Sequence, residues 1–222
     1  MNQLLFVIFP YVAITLALVG TVVRWRTRPF SVSSLSSQLL ERRQLFWGSP
    51  AFHWGIILIL LAHLAVLLVP QGFEAWNRVP LRLYALEITG FALGVWALLG
   101  LAILIYRRAS NAKIRAVSTR MDWVVLALLV LQIASGLWIA AGYRFGSSWA
   151  PSVVVPYIKG LLLLQPKPEL VAYGPLALKL HICAFFALLA VFCFSRLPHL
   201  LPVPLGYLAR PWQLVIEARP RT

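Results

Sequence analysis

Five unbroken apolar stretches set the rhythm of the chain: about Leu4–Val23, Pro50–Val69, Tyr84–Tyr106, Asp122–Tyr143 and Leu176–Leu197. Charged residues, Pro or Gly clusters bound each one. A bilayer core about 30 Å thick takes roughly 20 apolar residues as helix. The runs are continuous rather than alternating, which excludes a strand barrel. The pattern therefore predicts an all-α integral membrane protein of five transmembrane helices, a helical bundle forming one membrane domain over residues 1–222. Ser152–Gln165 is apolar but short and broken by Pro156, so it reads as an interfacial or re-entrant piece. Ser31–Leu40 in the first basic loop has capping residues followed by a short helix-compatible run. Gly90 and Gly94 form a GxxxG spacing that permits close helix contact. Residues 198–222 are too few for a domain and read as a tail that docks on a partner subunit.

Loop charge orients these spans. Fourteen of the 20 Lys and Arg lie in the loops after the first, third and fifth runs, and six on the other side. The positive-inside rule then puts the N-terminus outside and the C-terminus in the cytoplasm. The same rule accounts for the formal charge of +14. No basic region stands clear of the apolar segments, which argues against nucleic acid as a partner. Composition agrees with the pattern: 61% hydrophobic, 12% charged, mean hydropathy +0.83, against about a quarter charged in soluble domains. No basic residue precedes the first run and no small-residue cleavage site follows it, so a cleaved signal peptide is not expected.

The candidate chemistry lies in four histidines. His53 and His63 fall in the second run, and His181 and His199 at the two ends of the fifth. An ionisable residue inside a span is costly and marks function. If the two spans pack antiparallel, His53 faces His199 at the cytoplasmic end, and His63 faces His181 at the outer end. Two pairs at two depths suit two stacked bis-histidine haem b groups, with each imidazole donating its second N–H to a carbonyl or similar partner. Arg107, Arg108 and Arg196 are candidate cations for the inner haem propionates, and Arg82 for the outer. Cys183 and Cys193 form neither CxxC nor CxxCH, which argues against c-type attachment and cysteine-ligated metal. A histidine-lined metal or proton transporter without haem is the other reading of these residues. It would want acidic partners, yet the only acids near span ends are Glu87 and Asp122.

One conflict stands within the pairing. Ten residues of helix separate His53 from His63, about 15 Å, whereas the eighteen from His181 to His199 make about 27 Å. Pro198 directly before His199 points to an end or kink there.

Several motifs together resemble one family. They are SSQLLERR (residues 36–43), the His53–His63 spacing, EAW (74–76), YRR (106–108), IRAVSTRMD (114–122) and LLVLQ (128–132) with Gly136. LKLH (178–181), FSRLPH (194–199) and VPLGYLARPWQLV (203–215) complete them. The chain resembles, over nearly its whole length, the gamma subunit of respiratory nitrate reductase, a membrane dihaem cytochrome b. The resemblance implies haem b held by His53 and His199 near the cytoplasm, and by His63 and His181 near the outer face. It implies quinol oxidation beside His63 and Arg82, with electrons passed to an iron–sulfur beta subunit and a molybdenum alpha subunit that reduces nitrate. The expected location is the cytoplasmic (inner) membrane of a bacterium or archaeon. Three positions depart from the family pattern: Arg82 stands for a lysine, Ala62 for a glycine, and Pro198 for an apolar residue. Arginine keeps the charge but not the geometry. The same module serving a sulfite-reduction or heterodisulfide complex would share these features and differ in partner.

Overall fold

The computed structural model describes residues 1–28 and 43–200. The helix-compatible run in Ser31–Leu40 and all of the tail beyond Leu200 lie outside the described residues.

Nine helices follow one another among the described residues, with no strand. α1 is Leu4–Thr27, opening with a π turn at Leu4–Ile8. α2 is Arg43–Leu68, α3 Pro70–Asn77, α4 Pro80–Ser110, α5 Ala112–Ala116 and α6 Arg120–Gly142. α7 is Gly146–Leu162, α8 Glu169–Ala172 and α9 Leu176–Phe192, and a 3-10 turn follows at Leu197–Leu200. α1, α2, α4 and α6 are long and apolar enough to cross a membrane. α9 is apolar but has 17 residues, about 26 Å of rise. It ends at Phe192, five residues before the expected end of the fifth run. The long helices leave Leu18, Val19, Leu60, Leu61, Ile88 and Leu99 exposed. In water such faces would be an aggregation liability, whereas in a bilayer they face hydrocarbon.

The ends follow from local chemistry. Pro70 and Pro80 open α3 and α4, where the missing N–H has no helical acceptor to lose. α6 begins with a capping box: Asp122 N–H donates to the Thr119 hydroxyl, and Thr119 N–H donates to the Asp122 carboxylate. Asn111 caps α5 by accepting from the Lys113 and Ile114 N–H groups. The apolar stretch around Ser152–Gln165 becomes helix α7 despite Pro151 and Pro156 inside it. It buries Val155, Tyr157 and Leu161 against Phe6, Val171 and Phe186. The Tyr157 hydroxyl donates to the Phe6 carbonyl (3.0 Å), which sits in the π turn, and Tyr11 donates to Leu161 O (3.1 Å). Two hydrogen bonds thus tie α1 to α7.

The most extensive pairing is α2 with α4. Without water to drive apolar surfaces together, helices in lipid gain from close van der Waals approach at small residues. Gly48, Ala51 and Gly55 on α2 meet Ala97 and Gly100 on α4. A Cβ on Gly100 would lie 2.5 Å from Phe52 N and 2.8 Å from Gly48 O, so the backbones touch. The expected GxxxG contact is half present. Gly94 packs closely on Leu137, while a Cβ on Gly90 would meet open space. Gly100→Ala is therefore expected to lower stability by about 1–3 kcal/mol through backbone clash. Gly90→Ala should be neutral or stabilising by up to about 1 kcal/mol from helix propensity. Unfolding of both variants in detergent, read by circular dichroism, checks the contrast.

Candidate functional site: two facing histidine pairs

The four histidines come together in two pairs. The ring centroids of His53 and His199 are 6.4 Å apart with planes at 69°, and those of His63 and His181 are 6.3 Å apart at 32°. A metal bound on both sides by imidazole nitrogens at about 2 Å leaves ring centroids roughly 6 Å apart. Both pairs have the spacing of one shared metal ion.

The backbone sets the direction of every ring. His53 Nδ1 lies 2.8 Å from Ser49 O, and His63 Nδ1 lies 2.8 Å from Ile59 O. Each is a carbonyl four residues back on α2. His199 Nδ1 lies 2.6 Å from Arg196 O, and His181 Nδ1 lies 3.0 Å from Gln132 O on α6. A carbonyl only accepts, so each Nδ1 carries the proton and each Nε2 keeps its lone pair. This is the tautomer of a histidine that ligates through Nε2, with the second N–H bond fixing the ring.

His181 has the most elaborate seat. The Ser135 hydroxyl lies 3.1 Å from Nδ1, and the Gln132 side-chain amide lies 3.2 Å from Nε2. Gln132 Oε1 is buried and has no hydrogen-bond partner. Gly136 leaves room for the ring: a Cβ there would come within 3.0 Å of His181 Cε1. α6 thus supplies a carbonyl, a hydroxyl, an amide and a gap, all within five residues.

The conflict between the ten- and eighteen-residue spacings resolves at the end of α9. The helix stops at Phe192, upstream of Pro198, and bends carry the chain to the 3-10 turn that holds His199. The break is clamped from α1. Arg24 donates to the carbonyls of Cys193 (2.7 Å) and Ser195 (2.5 Å), oxygens left without helical donors where α9 ends. Gly20 lets α1 approach, since a Cβ there would lie 2.5 Å from Cys193 Sγ. Pro198 is fully buried within the 3-10 turn.

The expected cations are already engaged. Arg108 Nη1 donates to the Asp122 carboxylate (3.1 Å) and to the Ser118 hydroxyl (2.7 Å). Arg196 pairs with the other Asp122 oxygen at 3.4 Å and donates to Val117 O. Arg82 stacks on Trp76, 5.2 Å from the ring centroid, while Trp76 Nε1 donates back to Arg82 O. No group of three or more His, Cys, Asp or Glu side chains able to hold a metal occurs among the described residues.

The sequence reading did not find the Gln132–Ser135–Gly136 seat, the role of Asp122, or the clamp from Arg24. In the sequence Gln132, Gly136 and Asp122 are parts of motifs, and Asp122 is also an acid near a span end.

The family model of the nitrate reductase gamma subunit matches residues 2–218. The chain belongs to the nitrate reductase gamma subunit family. It is 32% identical over 216 residues to the nitrate reductase gamma chain of Bacillus subtilis, covering 95% of this chain and 96% of that one. It is 32% identical over 231 residues to the respiratory nitrate reductase 1 gamma chain of Escherichia coli, covering 97% of each. It is also 32% identical to the nitrate reductase-like protein NarX of Mycobacterium tuberculosis, and there it spans 33% of the relative's length. Within this gamma-subunit chain, Gly136→Val would drive a branched side chain into the His181 ring. The expected cost is about 1–3 kcal/mol, with Gly136→Ala costing less. Thermal unfolding of the two variants in one detergent tests the order.

Proposed function

We propose that the chain is the haem b membrane subunit of a respiratory nitrate reductase, oxidising quinol and delivering the electrons to cytoplasmic partners. The observation that carries this reading is the pair of facing histidine sets, each at the spacing of one metal and each with Nδ1–H on a carbonyl. Two protein ligands per site are too few for a tetrahedral zinc, which takes three or four. They suit an iron whose four remaining positions belong to a macrocycle. His53 and His199 would hold one haem b, and His63 and His181 the other. When bound, a bis-histidine haem carries one electron at a time and offers no open position for oxygen.

The residues of this chain do the rest. The carbonyls of Ser49, Ile59, Gln132 and Arg196 hold the imidazoles in one tautomer and orientation. Arg82, steadied on Trp76, places a cation near the His63 end, where a quinol oxygen that loses its proton gains a partner. Each quinol releases two electrons and two protons. The protons leave to the outer face. The electrons go to an iron–sulfur subunit and from it to a molybdenum subunit, where nitrate is reduced. The spans lie in the cytoplasmic membrane with the N-terminus outside, α9 and the segment after it making the fifth crossing. The tail beyond Leu200 docks on the partner. Moving one charge across the membrane costs about 2.3 kcal/mol per 100 mV, which the drop from quinol to nitrate must exceed.

A reduced-minus-oxidised spectrum of the purified complex should show b-type bands, and their absence from folded protein would sink the proposal. His63→Ala should remove one of two haems and abolish quinol-driven nitrate reduction while sparing the second haem. Haem content per chain and the quinol-dependent rate measure both effects.

A further inference from the structure

Asp122 is a buried carboxylate, 8% exposed, at the end of the bundle where the arginines gather. All its contacts are charged or capping. One oxygen accepts from Thr119 N–H (2.9 Å) and from Arg108 (3.1 Å), and the other faces Arg196 at 3.4 Å. Capping α6 needs only the first of these. A Ser or Asn would serve a cap as well and would not need two guanidinium groups to offset its burial.

What the second oxygen does is visible along Arg196. Its guanidinium is held at two points, the Asp122 carboxylate in the first turn of α6 and the Val117 carbonyl (3.1 Å) on the α5–α6 link. Its own carbonyl accepts from His199 Nδ1 at 2.6 Å and from the His199 backbone N–H at 3.2 Å. Arg196 is therefore tied at both ends: the side chain to Asp122, the backbone to the ring of His199. The turn between α9 and His199 keeps only short-range bonds, Phe194 N–H to Val191 O and Ser195 N–H to Phe192 O, so outside anchors add to what holds its course. Arg24 holds the turn from α1 through Cys193 and Ser195, and Asp122 holds it from α6 through Arg196. The other three histidines have no charged group in this position. His53 and His63 bond carbonyls of their own helix, and His181 bonds a carbonyl of α6.

Charge enters as well. Asp122, Arg108 and Arg196 together carry a net charge of plus one. Without the carboxylate the same place carries plus two, and positive charge beside a haem favours the reduced form.

We propose that Asp122 is the positioning residue of the His53–His199 centre: it locks Arg196, through it the imidazole of His199, and it offsets the arginine charge beside that centre. The inference rests on the reading that the two histidine pairs hold haem b. It gives the two centres different controls, because among the described residues the His63–His181 pair has no such carboxylate.

The test uses the whole complex in membranes, with redox titration of the b bands and electron paramagnetic resonance of the low-spin haems. His53→Ala and His63→Ala assign the two signals. Asp122→Asn keeps an acceptor for the α6 cap and removes the charge. It should raise the midpoint of the His53–His199 centre and shift its low-spin signal, leaving the other centre as in wild type. Arg196→Ala leaves the α6 cap intact and should also shift that low-spin signal, whereas Arg196→Lys should keep it closer to wild type. A purely structural cap predicts no selective change in either. Wild-type signal and midpoint in both Asp122→Asn and Arg196→Ala would overturn the proposal. If Asp122→Asn fails to assemble, Arg196→Ala decides alone. Wild-type complex without b-type haem would instead refute the proposed function, so the two failures differ.

Discussion

Two histidines ten residues apart on an unbroken helix have partners eighteen residues apart on another segment. No straight helix can meet both. That mismatch governs the end of α9, and much of the polar chemistry at that end of the bundle serves it. The helix stops at Phe192, and the freed carbonyls of Cys193 and Ser195 must find donors in an apolar setting. A carbonyl left unpaired there would cost several kcal/mol, so Arg24 on the neighbouring helix is a requirement of the break.

The parts legible in the sequence are those written in composition and spacing. Apolar runs near 20 residues located the long helices within four residues at each end, except that α2 begins at Arg43, seven residues before its apolar run. The restriction of all four histidines to two runs, with an antiparallel assumption, suffices to name both pairs. The exact end of α9 was not legible, because its sequence stays apolar and helix-compatible through Phe194. Pro198 marks a break, but α9 already ends at Phe192, and the proline lies buried within the 3-10 turn Leu197–Leu200. The seat of His181 was illegible for a different reason. Gln132 and Ser135 are ordinary residues whose meaning depends on which helix lies opposite, and one sequence does not give that.

Helix packing shows a similar division. A GxxxG spacing is visible in α4, yet only Gly94 of the pair is used. The closest contact instead joins Gly100 to Gly48 and Phe52 across two helices. Small residues on one helix are informative only when the small face of its neighbour is known. α2 and α4 contribute theirs at spacings of seven and three residues, so no single motif records the interface.

Arginine is the residue whose meaning changes most between the sequence and the fold. As a count, the arginines only predict an orientation; as side chains, several are internal fasteners. Arg24 binds two carbonyls at the C-terminal end of α9, where the helix dipole is negative and a cation is favoured. Arg108 and Arg196 converge on Asp122 and join α4, the α5–α6 link and the turn before His199. A lysine would gather its three donors on one nitrogen, whereas the planar guanidinium spreads five over three and can reach acceptors farther apart. The charge bias from which a topology is predicted and the contacts that shape the end of α9 are therefore carried by the same residues.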